Sequence, residues 1–257
     1  MGAGNYGRDE KMTTVRVVLP AYNEAEALLK LLPALTSNLS EGWMKYHIYV
    51  VDDGSSDGTP NVVKKFSGEN ITLIQDKRNR GLAETINTGF REALQESGDD
   101  DIVVTMDADN THLPGLILRM TRLIKEGNDV VISSRYISGA RVKGVPIQRE
   151  ILSFLSSWIF RILFPIAGVK DYTCGYRAYR AEILKNAIKK YGKEFINQKG
   201  FSCMVDILLK LRTFDPIVVE VPMILRYDQK PGKSKMDVGN TIVETMMLIG
   251  KHLGKSN

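Results

Sequence analysis

Short apolar segments alternate with longer helical patterns through the first half of this chain, and this alternation constrains the fold most. The apolar segments are typical of buried strands and lie at Val15–Leu19, His47–Val51, Ile71–Gln75, Ile102–Met106 and Asp129–Ser133. Apolar residues at helical spacing predict helices between them, at Glu24–Leu39, Thr59–Phe66, Leu82–Gln95 and Leu113–Lys125. This order favours an α/β fold, a mainly parallel sheet sandwiched by helices. Because ligands of such sheets bind beyond the carboxyl ends of the strands, functional residues are expected in the loops after the strands.

The second half is less regular. A segment at Ile151–Val169 is long enough to cross a bilayer, but it carries three serines and Arg161, and its apolar residues form one helical stripe. That pattern indicates a helix lying on a core or on a membrane surface. The remaining predicted features are a loop at Tyr136–Ile147, a Cys-Gly-Tyr turn, helices at Ala181–Lys190, Phe201–Arg212 and Val238–Leu253, a strand at Ile217–Val221 and a basic Gly/Pro loop at Arg226–Met236.

Composition narrows the class of protein. The 257 residues are 43% hydrophobic and 25% charged, which is ordinary for a globular protein. No linker or repeat is visible, so one domain over 1–257 is expected, with halves at 1–135 and 136–257. Two cysteines cannot form a disulfide scaffold, and the N-terminus does not resemble a signal peptide, so a cytosolic protein is expected. A net charge of +5 suits an anionic small substrate or a membrane surface better than a nucleic acid.

Asp107 and Asp109 follow the fourth predicted strand. Two carboxylates at this spacing are able to bind one hard cation, Mg²⁺ or Mn²⁺, which commonly bridges to substrate phosphates. The alternative is that Asp109 or Thr111 caps the helix predicted to begin at Leu113.

Two other strand ends carry residues suited to a nucleoside. Asp52 and Asp53 offer acceptors for a base N–H or a ribose hydroxyl, and Tyr22 offers a stacking face. The structural alternative for Asp52 and Asp53 is a turn followed by a helix that starts at Asp57 or Thr59, since Asp-Gly-Ser runs favour turns. Asn23 is a good N-cap for the helix after the first strand, which does not exclude donor binding there.

Four cations, Arg135, Arg141, Lys143 and Arg149, occur within fifteen residues just before the amphipathic segment. Arginine suits bidentate phosphate contacts, and an adjoining apolar surface suits a lipid tail. This combination indicates a lipid phosphate as a ligand; a solvated basic face beside a core helix is the alternative.

Taken together, residues 17–24, 50–59, 79–82, 87–89 and 106–109 resemble the inverting nucleotide-sugar glycosyltransferases of the A-type fold (family 2), which is Rossmann-like. Residues 134–136, Arg149 with Ser153, Asp171–Arg180, Val221-Pro222 and 232–235 resemble the dolichyl-phosphate mannosyltransferase branch.

The resemblance implies roles for particular residues. The implied metal ligands for Mg²⁺ or Mn²⁺ are Asp107 and Asp109, which with Arg135 form the catalytic set. The implied donor-binding residues are Pro20, Tyr22, Glu24, Asp52, Asp53, Arg226, Lys233 and Ser234; those for the acceptor phosphate are Arg135, Arg149 and Ser153. Two departures are present: Thr111 stands where the family often has Gln, and Thr-Cys-Gly-Tyr-Arg where the mannosyltransferases tend to have Thr-Gly-Ser-Phe-Arg.

The predicted activity is metal-dependent, inverting transfer of a hexose to a polyprenyl (dolichyl) phosphate at the cytosolic membrane face, with mannose from GDP-mannose as the first choice. The expected partners are the nucleotide sugar, the lipid and a membrane surface bound through amphipathic helices, or else an integral membrane protein; no nucleic acid is expected. A lipid phosphate is already ionised and attacks without a general base, whereas a sugar hydroxyl needs one. Asp206 is the candidate base, although an ion-pair role is favoured for it. The alternatives are a UDP-sugar donor or a saccharide hydroxyl acceptor and, ranked lower, a nucleotidyltransferase or a non-catalytic nucleotide-sugar-binding subunit.

Overall fold

A computed structural model describes residues 13–42, 44–198, 200, 202–230 and 238–254. The strands are β1 Thr14–Ala21, β2 Lys45–Asp52, β3 Ile71–Gln75, β4 Ile102–Thr105, β5 Val130–Ser134, β6 Arg141–Lys143, β7 Arg177–Arg180, β8 Val218–Pro222 and β9 Ile224–Arg226. The α-helices are α1 Ala25–Glu41, α2 Thr59–Phe66, α3 Leu82–Gln95, α4 Leu116–Lys125, α5 Ile147–Leu163, α6 Ala181–Tyr191, α7 Ser202–Leu211 and α8 Val238–Leu253. Short 3₁₀ turns occur at Gly192–Glu194, Arg212–Phe214 and Tyr227–Gln229.

Seven strands form the central sheet in the order β3-β2-β1-β4-β7-β5-β8. All neighbouring pairs are parallel except those of β7, which runs antiparallel to both β4 and β5. Strands β4 and β5 are buried along their whole length, as expected for strands covered on both faces. The mainly parallel α/β sheet is therefore confirmed, with one inserted antiparallel strand.

Close packing of α3 on the sheet depends on a glycine. A Cβ added at Gly89 would lie 2.3 Å from Cγ1 of Val18 in β1 and 3.2 Å from Cγ2 of Val51 in β2. Since real Cβ atoms essentially never approach other heavy atoms that closely, only glycine lets the helix lie at this distance. This contact fixes α3, and with it the loop that precedes α3, against the strand ends that carry the predicted donor residues.

Several parts of the prediction differ from the structure, and helix α5 covers Ile147–Leu163 rather than Ile151–Val169. No strand was predicted at Arg177–Arg180, which forms β7; Arg177 is fully buried there and donates to the carbonyl oxygens of Tyr172 and Met204. The predicted loop at Tyr136–Ile147 contains β6, which pairs in parallel with β9 to form a second, two-stranded sheet. Helix α4 begins at Leu116 rather than at Leu113.

Strands from both sides of residue 135 pair in the large sheet, since β7 and β8 lie beside β4 and β5. Helices α5 and α8 pack against each other. No helix within the described ranges combines the length and the apolar character needed to cross a membrane.

Candidate active site

A cavity of about 510 Å³ opens beyond the carboxyl ends of β1 and β4 and continues to α5 and α8. It brings together most of the residues singled out in the sequence. Those that line it are Pro20, Tyr22, Glu24, Asp53, Asp107, Asp109, Arg135, Arg149 and Ser153. Asp52 and Arg226 do not line it, and Lys233 and Ser234 lie outside the described residues.

The loop after β1 is fastened to the loop after β2. Asn23 has a positive φ of 52°, and its Oδ1 accepts hydrogen bonds from the backbone N–H groups of Ser56 (2.8 Å) and Asp57 (3.3 Å). The N-cap of α1 is Glu24 rather than Asn23, so the expectation that Asn23 caps this helix was wrong. Its side chain instead joins the two loops, which holds Tyr22 and Glu24 beside the second loop.

Asp53 is a support for the loop that precedes α3. Its two carboxylate oxygens accept from the N–H groups of Arg80 (2.6 Å) and Gly81 (2.9 Å). The next residue, Gly54, has φ +67°, and a Cβ there would lie 2.4 Å from the carbonyl carbon of Arg78. Asp53 and Gly54 thus let the loop after β2 and the loop before α3 lie in backbone contact. A direct contact of Asp53 with the nucleotide sugar stays a prediction.

A smaller pocket of about 270 Å³ lies beside the ends of β2 and β3, lined by Gly54, Ser55, Gln75, Asp76 and Lys77. Burial raises the pKa of Asp52 above its ordinary value. One oxygen of Asp52 accepts from the N–H of Ser55, whereas its Oδ2 is buried and has no hydrogen-bond partner among the described residues. Within the same ranges, Oδ2 of Asp76 is likewise buried and unpaired. Because such atoms are costly to leave unpaired, the two carboxylates are suited to accept from a ligand's N–H groups.

Asp76 was missed in the sequence. The signal that identifies it is the pairing of β2 with β3, in which Asp52 lies opposite Gln75, so that Asp76 follows β3 at the edge where Asp52 ends β2. The sequence predicts both strands but not that they are neighbours.

The two carboxylates after β4 differ in their surroundings. Burial raises the pKa of Asp107, and no hydrogen-bond donor among the described residues reaches its carboxylate. Burial also opposes ionisation of Asp109, but the charges of Lys230 and His112 outweigh it and hold the pKa of Asp109 below its ordinary value. The Nζ of Lys230 lies 2.6 Å from Oδ2 of Asp109.

The alternative that Asp109 or Thr111 caps the following helix is wrong. The N-cap of α4 is Gly115, and no side chain accepts a hydrogen bond there. Thr111 instead donates its hydroxyl to Oδ1 of Asp109 at 2.7 Å.

The chemistry of this donor set fits a hard divalent cation. Asp107 and Asp109 are oxygen ligands in one cavity, and within the described ranges no group of three His, Cys, Asp or Glu side chains is placed to hold a metal. Asp107 and Asp109 would hold the cation by two carboxylates, and water and substrate phosphate oxygens are the further ligands that such a cation prefers.

Arg135 is held by a buried ion pair. Its Nε and Nη2 donate to the two oxygens of Asp171 at 2.8 and 2.7 Å, and Nη2 also donates to the hydroxyl of Thr173. Asp171 is fully buried, and although burial alone would raise its pKa, the charge and hydrogen bonds of Arg135 lower it. Asp171, which carried no role in the sequence analysis, therefore fixes the guanidinium at the cavity wall.

The turn after Asp171 contains the departure from the mannosyltransferase pattern. Cys174 donates its backbone N–H to Oδ1 of Asp171 at 3.1 Å, and burial raises the pKa of its thiol to about 12. The thiol is protonated at neutral pH, so Cys174 lines the cavity as a small uncharged group.

Arg149 and Ser153 lie one turn apart on α5, both at the cavity. The Nη1 of Arg149 donates to the hydroxyl of Tyr227 at 2.7 Å, and its guanidinium lies 5.5 Å from the centroid of that ring. Tyr227 and Lys230 come from the 3₁₀ turn after β9 and were not singled out in the sequence.

Asp206 lies away from the cavity wall, on α7. It is fully buried, and its oxygens accept from Nζ of Lys210 (2.5 Å) and pair with Nε2 of His252 (2.9 Å). The ion-pair interpretation of Asp206 is thus confirmed, and a role as general base has no support in this geometry.

Comparisons with known proteins identify the family of this chain. A family model described as Glycosyl transferase family 2 matches residues 16–187. The chain belongs to this family. A polyprenol monophosphomannose synthase of Mycolicibacterium smegmatis is 31% identical over 97% of this chain and 93% of its own length. A dolichol-phosphate mannosyltransferase of Pyrococcus furiosus is 35% identical over 90% of this chain, which spans 61% of that relative.

Solved structures support the fold. A glucosyl-3-phosphoglycerate synthase from Mycobacterium tuberculosis, in complex with Mn²⁺, uridine diphosphate and glucosyl-3-phosphoglycerate, superposes with a TM-score of 0.64 at 20% identity, covering 95% of this chain and 80% of that one. The same protein in complex with Mg²⁺ and uridine diphosphate gives a TM-score of 0.65. The predicted A-type glycosyltransferase fold of this family 2 member is confirmed, and the chain is a glycosyltransferase.

Proposed function

We propose that this glycosyltransferase moves mannose from GDP-mannose to a polyprenyl phosphate, with inversion at the anomeric carbon and with Mg²⁺ or Mn²⁺ bound by Asp107 and Asp109. The observation that carries the proposal is the single cavity that joins these carboxylates to Arg135 and Arg149 and then continues between α5 and α8. The carboxylate end of the cavity suits a nucleotide sugar with its metal ion, and the two arginines suit the acceptor phosphate. The space between α5 and α8 suits an isoprenoid tail. The names of the relatives, polyprenol monophosphomannose synthase and dolichol-phosphate mannosyltransferase, describe the same reaction class.

The acceptor supplies its own nucleophile in this mechanism. A phosphate monoester is ionised near neutral pH, so one of its oxygens attacks the anomeric carbon while the bond from that carbon to the diphosphate breaks and the leaving nucleotide keeps the electron pair. When bound, the divalent cation neutralises charge on the leaving diphosphate. Arg149 and Arg135, which Asp171 holds at the cavity, position the attacking phosphate by charge-assisted hydrogen bonds. No general base is required, which agrees with the buried ion pairing of Asp206.

Transfer of labelled sugar tests this function. GDP-mannose, UDP-glucose and UDP-N-acetylglucosamine are each supplied with a short polyprenyl phosphate, with Mg²⁺, Mn²⁺ or a chelator. Label in the organic phase from GDP-mannose alone, lost with the chelator, is the expected result. Label transferred only to soluble saccharides would contradict a phosphate acceptor.

The base of the donor is proposed to be guanine. Its N1–H and exocyclic amine present two donors side by side, whereas uracil presents one N–H between two carbonyl oxygens. Asp76 lines the smaller pocket, and its backbone N–H donates to the carbonyl oxygen of Asp52. The Oδ2 atoms of both carboxylates have no partner among the described residues and are acceptors, which match the guanine edge better.

We therefore expect Asp76→Asn to weaken GDP binding by about tenfold or more, since a lost charge-assisted hydrogen bond is worth roughly 1.5–3 kcal/mol. UDP binding should change less than threefold. Isothermal titration calorimetry with both nucleotides measures the ratio. Glu84→Gln is the matched control, because Glu84 is the other carboxylate paired with Arg80. A loss of the same size for both nucleotides would contradict base recognition by Asp76.

Helix α5 is proposed to lie on a membrane. Its buried side chains are Ser157 and Phe160, while its apolar stripe points outward. The exposed members of that stripe include Ile147, Ile151, Phe154, Leu155, Trp158 and Ile162, with Trp158 54% exposed. The alternative of a core helix is therefore wrong for this face. Helix α8 adds the exposed Ile242, Val243, Met246 and Met247. This surface, called the α5/α8 face below, adjoins the cavity, and the cytosolic leaflet, where nucleotide sugars occur, is its proposed location.

Replacing Trp158 and Ile162 together by serine should lower binding to vesicles of phosphatidylcholine and phosphatidylglycerol by at least about tenfold, because each large apolar side chain contributes roughly 1.5–3 kcal/mol when fully buried. Co-sedimentation measures the bound fraction. Ile217→Ser is the control, since Ile217 is 59% exposed and lies just before β8, outside the α5/α8 face. Equal binding by the double variant and the control would leave an integral membrane partner as the occupant of this face.

The chain is proposed to act as one domain over 1–257, with the donor half at 1–135 and the acceptor half at 136–257. The sheet that contains strands from both halves supports this division of labour within a single core.

A further inference from the structure

Lys230 binds one of the two implied metal ligands. Its ammonium lies 2.6 Å from Oδ2 of Asp109, and both side chains are nearly buried, at 12% and 11% exposure. The other oxygen of Asp109 accepts from the N–H and the hydroxyl of Thr111. Both carboxylate oxygens of Asp109 are thus occupied by donors of this chain.

The turn that carries Lys230 also contacts the acceptor side of the cavity. Tyr227 begins the turn, and its hydroxyl accepts from Arg149 of α5. The Lys230 ammonium lies 5.6 Å from the centroid of the Tyr227 ring. A single short turn therefore binds Asp109 at the donor end and Arg149 at the acceptor end.

Two cations a few ångströms apart repel each other strongly in a site shielded from water. A divalent cation and the Lys230 ammonium therefore compete for Oδ2 of Asp109. Asp107 keeps its ligand oxygens available, so Asp109 is the place where the competition occurs.

From this arrangement we propose that Lys230 is an internal counter-cation that competes with the divalent cation for Asp109, and that its displacement releases the 227–230 turn. The release moves Tyr227 relative to Arg149, so that occupancy of the donor end changes the acceptor end. Lys230 is thus a positioning residue. The inference rests on the proposed metal-dependent function, since it assigns the cation to Asp107 and Asp109.

Binding of Mn²⁺ alone, without any sugar nucleotide, tests the competition. Free Mn²⁺ is measured by electron paramagnetic resonance with the full-length wild type, Lys230→Met and Lys230→Arg. The expected result is about tenfold tighter binding by Lys230→Met, and affinity near wild type for Lys230→Arg, which keeps a cation able to pair with Asp109. Lys143→Met is the matched control, because this exposed lysine pairs with Asp228 of the same turn and not with Asp109. It should change the affinity less than twofold.

Hydrogen exchange of the amides of residues 224–230 provides a second readout. Mn²⁺ should speed exchange of Tyr227–Lys230 in the wild type, and Lys230→Met should exchange at that faster rate with or without Mn²⁺. Unchanged or weaker Mn²⁺ binding by Lys230→Met, or unchanged exchange in the wild type, would overturn the inference while leaving the proposed function intact. Failure of the wild type to bind Mn²⁺ would overturn both.

Discussion

Replacement of Asp107 by asparagine is expected to lower kcat/KM for sugar transfer by about 10³-fold, or roughly 4 kcal/mol of transition-state stabilisation. No donor among the described residues reaches the carboxylate of Asp107, which lies at the end of β4 in the cavity, so we expect its charge to serve a ligand rather than the fold. Asparagine has nearly the same shape, but it is uncharged and offers a single oxygen. Initial rates with labelled GDP-mannose, measured across Mg²⁺ and Mn²⁺ concentrations, provide the comparison.

Asp99→Asn is the control for this variant, because Asp99 forms an exposed ion pair with Lys185 far from the strand end. It should transfer sugar at the wild-type rate. The Asp107→Asn protein should remain folded, since burial disfavours the charge that the substitution removes. Full activity of Asp107→Asn, still abolished by a chelator, would show that the cation binds elsewhere.

The second large effect is on stability. Asp171→Asn should reduce the free energy of unfolding by about 3–5 kcal/mol, because it leaves the largely buried guanidinium of Arg135 without its counter-charge. Denaturant titration followed by circular dichroism measures this difference. Glu26→Gln, which removes one partner of an exposed ion pair with Lys30, should cost less than about 1 kcal/mol. Comparable losses in the two variants would contradict a buried, tightly held Arg135.

The pH dependence of this pair has a definite sign. Arg135 lowers the pKa of Asp171 in the folded protein below the unfolded value of about 3.9. The unfolded state therefore binds the proton first as pH falls. The contribution of the pair is fully present above the unfolded pKa and is lost as pH falls through the folded pKa. The wild type should accordingly lose stability on acidification below about pH 4 more steeply than Asp171→Asn.

Local sequence patterns predicted where the strands of the first half end and which polar side chains follow them. The end of a buried strand is visible as an apolar run followed by polar residues, and parallel strands place such ends at one edge, so Asp107, Tyr22 and Asp52 were found without a structure. Their particular roles came from the resemblance to the family 2 glycosyltransferases. Asp76 follows the same rule but needs the order of the strands, which alternation of elements does not specify.

The contacts of Arg135 and Lys230 were harder to predict because they are non-local. Asp171 binds Arg135 across 36 residues, and Lys230 binds Asp109 across 121 residues. No periodicity records such pairs. The helix α5 was recognised as amphipathic, but the direction of its stripe was left open, because an inward and an outward apolar face give the same periodicity. Only the placement of Ser157 and Phe160 against the core decides it.

The antiparallel strand β7 has a consequence for how such enzymes are able to diversify. Arg177–Arg180 belongs to the half of the chain assigned to the acceptor, yet it lies between β4 and β5 of the donor half and pairs with both. The two halves therefore share one sheet, in which a strand of the second half lies between two strands of the first half. Recombination at residue 135 would replace β7, which lies between β4 and β5, and the edge strand β8, together with the proposed acceptor pocket. A lineage that acquires a new acceptor by exchange of segments must therefore preserve the pairing edges of β4 and β5, which restricts viable exchanges to shorter pieces such as α5 or the 227–230 turn.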